Sequence, residues 1–241
     1  MTASAQLPLD LPHRPALGRG DFLVSSNNAL AVDWIDRWPD WPGGVVALHG
    51  PAGAGKSHLA EVWRSLSGAR RLDAAELVGA DPLDLTAGGG ALLAEDLDRA
   101  PVDGEALERA LFHLVNAARS AGASLLLTAR EPPARWGVAL PDLASRIATF
   151  QAVAIGAPDD SLMEALIVKL FHDRQLRVGP EVVGYLLTRM ERSFAAAQAV
   201  VETIDRQSLA ERRQVSVPLA RQVLASLDGD EPHATCGQYK E

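Results

Sequence analysis

A glycine-rich segment in the N-terminal third of the chain has the residue types and spacing of a phosphate-binding loop. Residues 50–57 read GPAGAGKS and match G-x-x-x-x-G-K-[ST] in full. Glycines let the backbone approach a phosphate chain closely, and the N–H groups at the start of a following helix attract the anion. Lys56 would reach the outer phosphates, and Ser57 would ligate Mg²⁺. The expected nucleotide contacts are Gly50, Pro51, Ala52, Gly53, Ala54, Gly55, Lys56, Ser57 and His58.

An acidic pair after a second apolar run supplies the carboxylates that a magnesium nucleotide site requires. The stretch ALLAEDLD, residues 91–98, supplies Glu95 and Asp96, with Asp98 as a further acid within reach. One carboxylate would hold the water shell of the metal, and the other would orient or activate the attacking water. The assignment of these two roles stays open, and a solvated acidic loop is the alternative. Ser57 and Glu95 are the expected metal-site residues.

A threonine ends the apolar run SLLLTA, residues 124–129. The hydroxyl of Thr128 could position water beside the outermost phosphate. A purely structural role at the end of a strand is the alternative interpretation. We therefore count Thr128 with Glu95 and Asp96 as a candidate catalytic residue.

Two kinds of hydrophobic pattern predict the strands and helices that position these residues. Short apolar runs alternate with helical periodicity as far as residue 157, which predicts a parallel sheet covered by helices. After Pro158, four helical patterns follow with no strand signal. The predicted organisation is therefore an extended tail over 1–20, an α/β nucleotide-binding domain over 21–157, an all-helical domain over 158–228 and a polar tail over 229–241.

Composition narrows the classes of function. The chain has 241 residues, of which 47% are hydrophobic and 22% charged, as in ordinary globular proteins. A net charge of −8 argues against broad non-specific DNA binding, although a local basic patch remains open. A single cysteine, Cys236, excludes an internal disulfide framework and fits a reducing compartment. With no signal peptide and no apolar run long enough for a membrane helix, we expect a cytoplasmic protein without a membrane partner.

From about Asp21 to Leu227, the order of these motifs resembles the AAA+ module of the bacterial replication initiator DnaA. The stretch TAREPP, residues 128–133, is similar to the sensor-1 stretch of that family, and LASRIATF, residues 143–150, is similar to its box VII. The resemblance implies an AAA+ P-loop NTPase fold with a helical lid domain, which binds ADP or ATP with Mg²⁺. It also implies that Arg146 is an arginine finger, for which a surface salt bridge is the alternative.

The same resemblance points to further nucleotide contacts and to two departures. Val24 lies where the family covers the adenine, beside Asn27 and Asn28, although Asn28 as a helix N-cap explains that residue equally well. The sensor-2 arginine of the family is replaced by Ala195, with Arg192 about one turn earlier as a candidate substitute. Arg130 stands where DnaA-like chains usually carry an acid. Without a lid arginine, the bound nucleotide would act as a conformational ligand, so we expect the chain's own ATP hydrolysis to be weak.

The N-terminal segment QLPLDLP looks like a peptide that binds a sliding clamp. An extended apolar peptide can lie in a groove with its leucines as anchors, although a Pro-rich disordered leader is the alternative. The expected clamp-binding residues are Gln6, Leu7, Pro8, Leu9, Asp10 and Leu11. With a lid sequence over residues 204–224 that looks like the Hda C-terminus, the layout resembles the Hda family of DnaA-related regulators, which inactivate DnaA in a clamp-dependent way.

The resemblance implies DnaA and the β sliding clamp of DNA polymerase III as partners, with DNA contacted only through the clamp. A homodimer stays open. The expected function is a nucleotide-binding negative regulator of replication initiation that stimulates ATP hydrolysis by DnaA through Arg146, supplied in trans. The alternative is an autonomous AAA+ ATPase of the helicase-loader type that remodels a replication partner. A small-molecule kinase fits poorly, because no basic lid motif for a second phosphorylated substrate stands out.

Overall fold

Five strands form one parallel sheet in the spatial order β2-β3-β4-β1-β5. The computed structural model describes residues 22–97 and 103–229 of the chain. The strands are β1 (Val45–His49), β2 (Arg70–Leu72), β3 (Ala91–Ala94), β4 (Ser124–Ala129) and β5 (Gln151–Ala154). All of β3 and five of the six residues of β4 are buried, since helices cover both faces of the sheet. The predicted parallel sheet is confirmed.

Six helices of the described residues accompany this sheet: α1 (Ala29–Asp36), α2 (Lys56–Ser67), α3 (Ala74–Gly79), α4 (Pro82–Leu85), α5 (Gly104–Ala121) and α6 (Pro141–Ile147). Periodicity predicts α2 and α5, but it misses α3, α4 and α6, which are too short to show a helical repeat. Local capping starts two of these short helices. Asp73 accepts a hydrogen bond from the N–H of Glu76, and Asp81 accepts one from the N–H of Leu83.

Alternate residues of the strands face two separate hydrophobic cores. Val46 and Leu48 of β1 face a core that includes Trp41 and Trp63, whereas Val45 and Ala47 face the core built with α5 and α6. The Trp41 and Trp63 rings stack with their centroids 5.1 Å apart. Because β1 is central and packed on both faces, the loop that follows it starts from a rigid support.

The remaining described residues form a second compact unit, and the division falls between Leu162 and Met163. The helices are α7 (Asp160–Asp173), α8 (Pro180–Leu187), α9 (Phe194–Glu211) and α10 (Val217–Gly229), as the sequence predicts. The helical pattern that starts at Pro180 predicts a helix as far as Arg192, but α8 ends at Leu187. Ser193 then starts α9, because its hydroxyl accepts a hydrogen bond from the N–H of Ala196 at 3.0 Å. Among the helices described, none is both long enough and apolar enough to cross a membrane.

Candidate nucleotide site

The phosphate loop, defined here as residues 50–57, lies between β1 and the first turn of α2, in the strand–loop–helix order that the motif requires. A side chain at position 50 would place its Cβ 2.1 Å from the carbonyl oxygen of Ile155, so only glycine fits. Gly53 and Gly55 adopt φ values of 73° and 95°, which glycine reaches without strain. The glycines therefore allow a tight turn that opens directly onto the N-terminus of α2.

The Lys56 side chain folds back over this loop. Its Nζ atom donates hydrogen bonds to the carbonyl oxygens of Gly50 at 2.8 Å and Pro51 at 2.9 Å, and the residue is only 6% exposed. The ammonium charge is therefore held at the loop, where an incoming phosphate chain would arrive. Elsewhere in the loop Ala54 is buried, Gly53, Gly55 and His58 are half-buried, and Pro51, Ala52 and Ser57 are exposed.

Glu95 follows β3 and faces the start of α2. Burial raises the pKa of the Glu95 carboxyl above its ordinary value, while a hydrogen bond from Ser57 and the charge of Arg71 act in the opposite direction. The guanidinium of Arg71 lies 2.9 Å from Oε2, and Oε1 is buried without a hydrogen-bond partner. A buried, unsatisfied carboxylate oxygen beside a serine hydroxyl is a donor set that fits Mg²⁺ or its water shell.

Asp96 and Thr128 meet next to this acid. The backbone N–H of Asp96 donates a hydrogen bond to the Thr128 hydroxyl oxygen at 3.0 Å, and Asp96 adopts a left-handed φ of 50°. Thr128 is fully buried, whereas Asp96 is exposed. The threonine hydroxyl thus supports the backbone that follows Glu95, and its catalytic role stays a prediction. The arrangement places Glu95 towards Ser57 and leaves the Asp96 carboxylate facing outward.

The turn before α1 is hydrogen-bonded to the segment that follows β5, at the same end of the sheet as the phosphate loop. Asn27 donates a side-chain hydrogen bond to the carbonyl oxygen of Ala157 at 3.0 Å, two residues after Ile155. Asn28 accepts from the N–H of Ser25, donates to Leu23 and makes no side-chain capping bond to α1. Asn28 is thus the N-cap residue of α1, as predicted, but its amide holds the preceding turn together and does not bond to the helix. Val24, on this turn, is 53% exposed.

Sequence reasoning missed two residues near the loop. Arg71 lies opposite Leu93 in the β2–β3 register, two positions before Glu95, so both side chains leave the same face of the sheet. No local sequence signal marks Arg71, because the pairing of β2 with β3 decides which side chain meets Glu95. His49, the last residue of β1, has its pKa lowered by burial and by nearby Lys56, against an opposite effect of Glu131. It therefore favours the neutral imidazole beside the phosphate loop.

Arg146 lies at the end of the sheet where the parallel strands begin, whereas the phosphate loop lies at the end where they finish. It occupies the last turn of α6, before β5, and Val46 of β1 pairs with Gln151 of β5 in parallel. The phosphate loop follows the opposite end of β1, after His49. A five-residue strand spans roughly 16 Å, so Arg146 does not reach the phosphates that its own loop would hold. Arg146 lines a cleft of about 280 Å³ together with Arg119.

Other predicted site residues lie apart from this geometry. Arg192 is exposed in the turn before Ser193, and Ala195 is in the first turn of α9; both belong to the C-terminal helical unit. The replacement of sensor 2 by Arg192 stays a prediction. The tail residues Gln6 to Leu11, like Asp98, lie outside the described residues.

Comparison with known proteins assigns the fold and the helical unit. Residues 159–224 match the family described as Hda, lid domain. An uncharacterized protein of Haemophilus influenzae is 23% identical over 234 residues, a match that covers 91% of this chain and 98% of that protein. The C-terminal helices are therefore similar to the lid domain of that family.

Two solved structures share the fold at low sequence identity. Domain III of the replication initiation protein DnaA from Thermotoga maritima matches with a TM-score of 0.75 at 16% identity, over 92% of this chain and 100% of that chain. The AMPPCP-bound DnaA of Aquifex aeolicus matches with a TM-score of 0.65 at 18% identity, over 83% and 70% of the two chains. The chain therefore shares the fold of these DnaA structures.

Proposed function

We propose that this Hda-like, DnaA-related AAA+ chain is a clamp-associated negative regulator of replication initiation, which stimulates the hydrolysis of ATP bound to DnaA. The observation that carries the proposal is the place of Arg146. Arg146 lies at the end of the sheet opposite the chain's own phosphate loop. It is half-exposed and has no ion pair among the described residues. An arginine there serves a nucleotide on another subunit. A guanidinium beside a γ-phosphate stabilises the charge that develops in the transition state.

The chain's own site is proposed to hold ADP or ATP with Mg²⁺. Lys56, the N–H groups at the start of α2 and the unsatisfied Glu95 oxygen support this assignment. Bound Mg²⁺ would supply charge neutralisation between phosphate oxygens and Glu95. Arg71 already compensates the Glu95 carboxylate, and no lid arginine stands at the matching position of α9. We therefore expect slow hydrolysis at this site and a conformational role for its nucleotide.

The clamp is the proposed second partner, bound through Gln6, Leu7, Pro8, Leu9, Asp10 and Leu11. The support is the sequence pattern alone: a glutamine followed by leucines at alternate positions. With a net charge of −8, the chain would reach DNA through the clamp rather than through its own surface. Cytoplasmic location belongs to the same proposal, because replication partners are met there.

An autonomous ATPase of the helicase-loader type is the second candidate. The observation that favours it is the assembly of Lys56, Glu95 and Thr128 around one phosphate loop. Steady-state turnover by the purified protein alone, abolished by Lys56→Ala and retained by Lys169→Ala, would establish this function. Turnover no higher than that of Lys56→Ala would remove it.

The test of the regulatory function is hydrolysis of DnaA-bound ATP in the presence of clamp loaded on DNA. We expect the wild type to accelerate hydrolysis and Arg146→Ala to leave the rate that DnaA shows alone. Arg109→Ala is the matched control, because Arg109 is an exposed arginine of α5 that pairs with Glu105 and is not among the residues that line the Arg146 cleft. An Arg146→Ala protein that stimulates as well as the wild type would refute the finger, and a wild type that never stimulates would refute the function.

A further inference from the structure

The cleft beside Arg146 contains a second arginine that no sequence motif singled out. Arg119 comes from the last turn of α5, and Arg146 from the last turn of α6. The walls between them are largely apolar, with Val45, Val115 and Phe150 lining the cleft. Two arginines from different helices therefore line one concave surface of the α/β unit.

No acidic side chain lines this cleft, and neither arginine forms an ion pair with the described part of the chain. At least nine other arginines pair with a carboxylate: Arg37, Arg64, Arg70, Arg71, Arg109, Arg135, Arg174, Arg206 and Arg213. Two like charges on one apolar-walled cleft repel each other, and an anion placed between them removes that repulsion.

We infer that Arg119 and Arg146 form one two-guanidinium site for a phosphate chain, and that Arg119 is a second contact residue for the nucleotide of a partner subunit. The inference deepens the proposed function and rests on it. Two guanidinium groups match the multiple negative charges of a triphosphate better than the single charge of a carboxylate. Planar guanidinium groups also bind phosphate oxygens bidentately.

The position of the cleft decides the source of that phosphate chain. Val45 is the first residue of β1, whereas the phosphate loop follows the last residue of the same strand. The nucleotide of this chain would therefore lie at the opposite end of the strands. The phosphates that reach the cleft must come from a separate molecule, and under the proposed function this is the ATP bound to DnaA.

The test compares Arg119→Ala, Arg119→Lys and the control Arg109→Ala in the DnaA-bound ATP assay with loaded clamp. We expect Arg119→Ala to lower the maximal stimulated rate about tenfold or more, the loss of one charge-assisted contact to phosphate. Arg119→Lys keeps the charge without the bidentate fork and should recover part of that loss. The melting temperature should stay at the wild-type value because Arg119 is exposed. Stimulation by Arg119→Ala at the wild-type rate overturns the inference while the proposed function stands.

A second arm separates failure of the inference from failure of the proposed function. Inorganic tripolyphosphate is titrated into the Lys56→Ala protein, whose own loop is disabled, and the ¹⁵N side-chain signals of arginine are followed. We expect the Arg119 and Arg146 signals to shift together and saturate, and the Arg109 signal to stay in place. Absence of a saturable shift overturns the two-arginine site, and this result does not depend on whether the wild type stimulates DnaA. Tripolyphosphate binding combined with full stimulation by Arg119→Ala overturns the partner's nucleotide as the occupant.

Discussion

Glu95 is the residue at which stability and ligand binding conflict most directly. Its side chain is 9% exposed, one carboxylate oxygen has no hydrogen-bond partner, and burial raises its pKa. A charge that is buried and half-compensated destabilises the fold in the absence of a metal. The same unsatisfied oxygen is what makes the position suitable for Mg²⁺.

We therefore expect Glu95→Gln to raise the melting temperature of the nucleotide-free protein at pH 7 and to weaken Mg²⁺-dependent nucleotide binding. The sign follows from linkage: a carboxyl with a raised folded-state pKa binds its proton more tightly when folded, so stability falls as pH rises from the ordinary glutamate pKa through the raised value. The glutamine has no such proton, so this part of the pH dependence should vanish. Thermal melts between pH 4 and 8 test this, with Glu105→Gln as an exposed control. An unchanged pH profile would contradict the assignment.

At the scale of elements, the contact between α5 and the start of α6 decides where Arg146 stands. Glu108 of α5 accepts hydrogen bonds from the N–H of Leu140 at 2.8 Å and from the N–H of Ala139 at 3.0 Å. These donors belong to the residues that lead into α6, where no preceding turn satisfies them. One carboxylate thus ties the helix that carries Arg146 to the helix that carries Arg119.

Glu108→Ala should lower the stimulation of DnaA severalfold, because α6 loses its tie to α5. Nucleotide affinity should stay unchanged, because the phosphate loop lies at the opposite end of the strands. The cost in unfolding free energy should be about 1–3 kcal/mol, the range for unsatisfied backbone donors. Glu108→Gln retains an acceptor and should recover part of the stimulation. Glu105→Ala, one turn earlier on α5, is the matched control. Equal losses of nucleotide affinity and stimulation would indicate general unfolding rather than displacement of α6.

At the scale of the whole molecule, the proposed function divides the work among separate parts of the chain. The tail would localise the protein on the clamp, the phosphate loop would hold a nucleotide, and the Arg119–Arg146 cleft would act on a partner. Gln6→Ala combined with Leu7→Ala should therefore weaken clamp binding about tenfold or more, since burying one leucine contributes roughly 1.5–3 kcal/mol. ADP binding should stay unchanged.

Surface-immobilised clamp gives the affinity for this comparison, and calorimetry with ADP gives the nucleotide affinity. Thr2→Ala combined with Ser4→Ala changes the same tail outside the proposed motif and should behave as the wild type. Unaltered clamp affinity in the Gln6–Leu7 double variant would remove the tail from the mechanism and leave the nucleotide site untouched.

Local sequence patterns were enough to predict the strands and helices that show a hydrophobic period and the loop that carries a motif. Strand runs such as 45–49 and 124–129, the long helix α5 and the four C-terminal helices follow from periodicity, which depends only on neighbouring residues. The phosphate loop follows from glycines whose backbone conformation is a local property. Short helices such as α6 escape this reasoning, because fewer than two turns cannot display a period.

The sequence by itself therefore determined the α/β unit, the helical lid and the residue types of the nucleotide site. Tertiary structure alone decided that Arg71 meets Glu95, that Glu108 holds the start of α6, and that Arg119 joins Arg146 on one cleft. These pairs are far apart along the chain, and strand order, which no local pattern encodes, brings them together. Because β1 and β5 run parallel, Arg146, which precedes β5, lies at the end of the sheet opposite the phosphate loop, which follows β1. This is the physical reason why its action is assigned to another subunit.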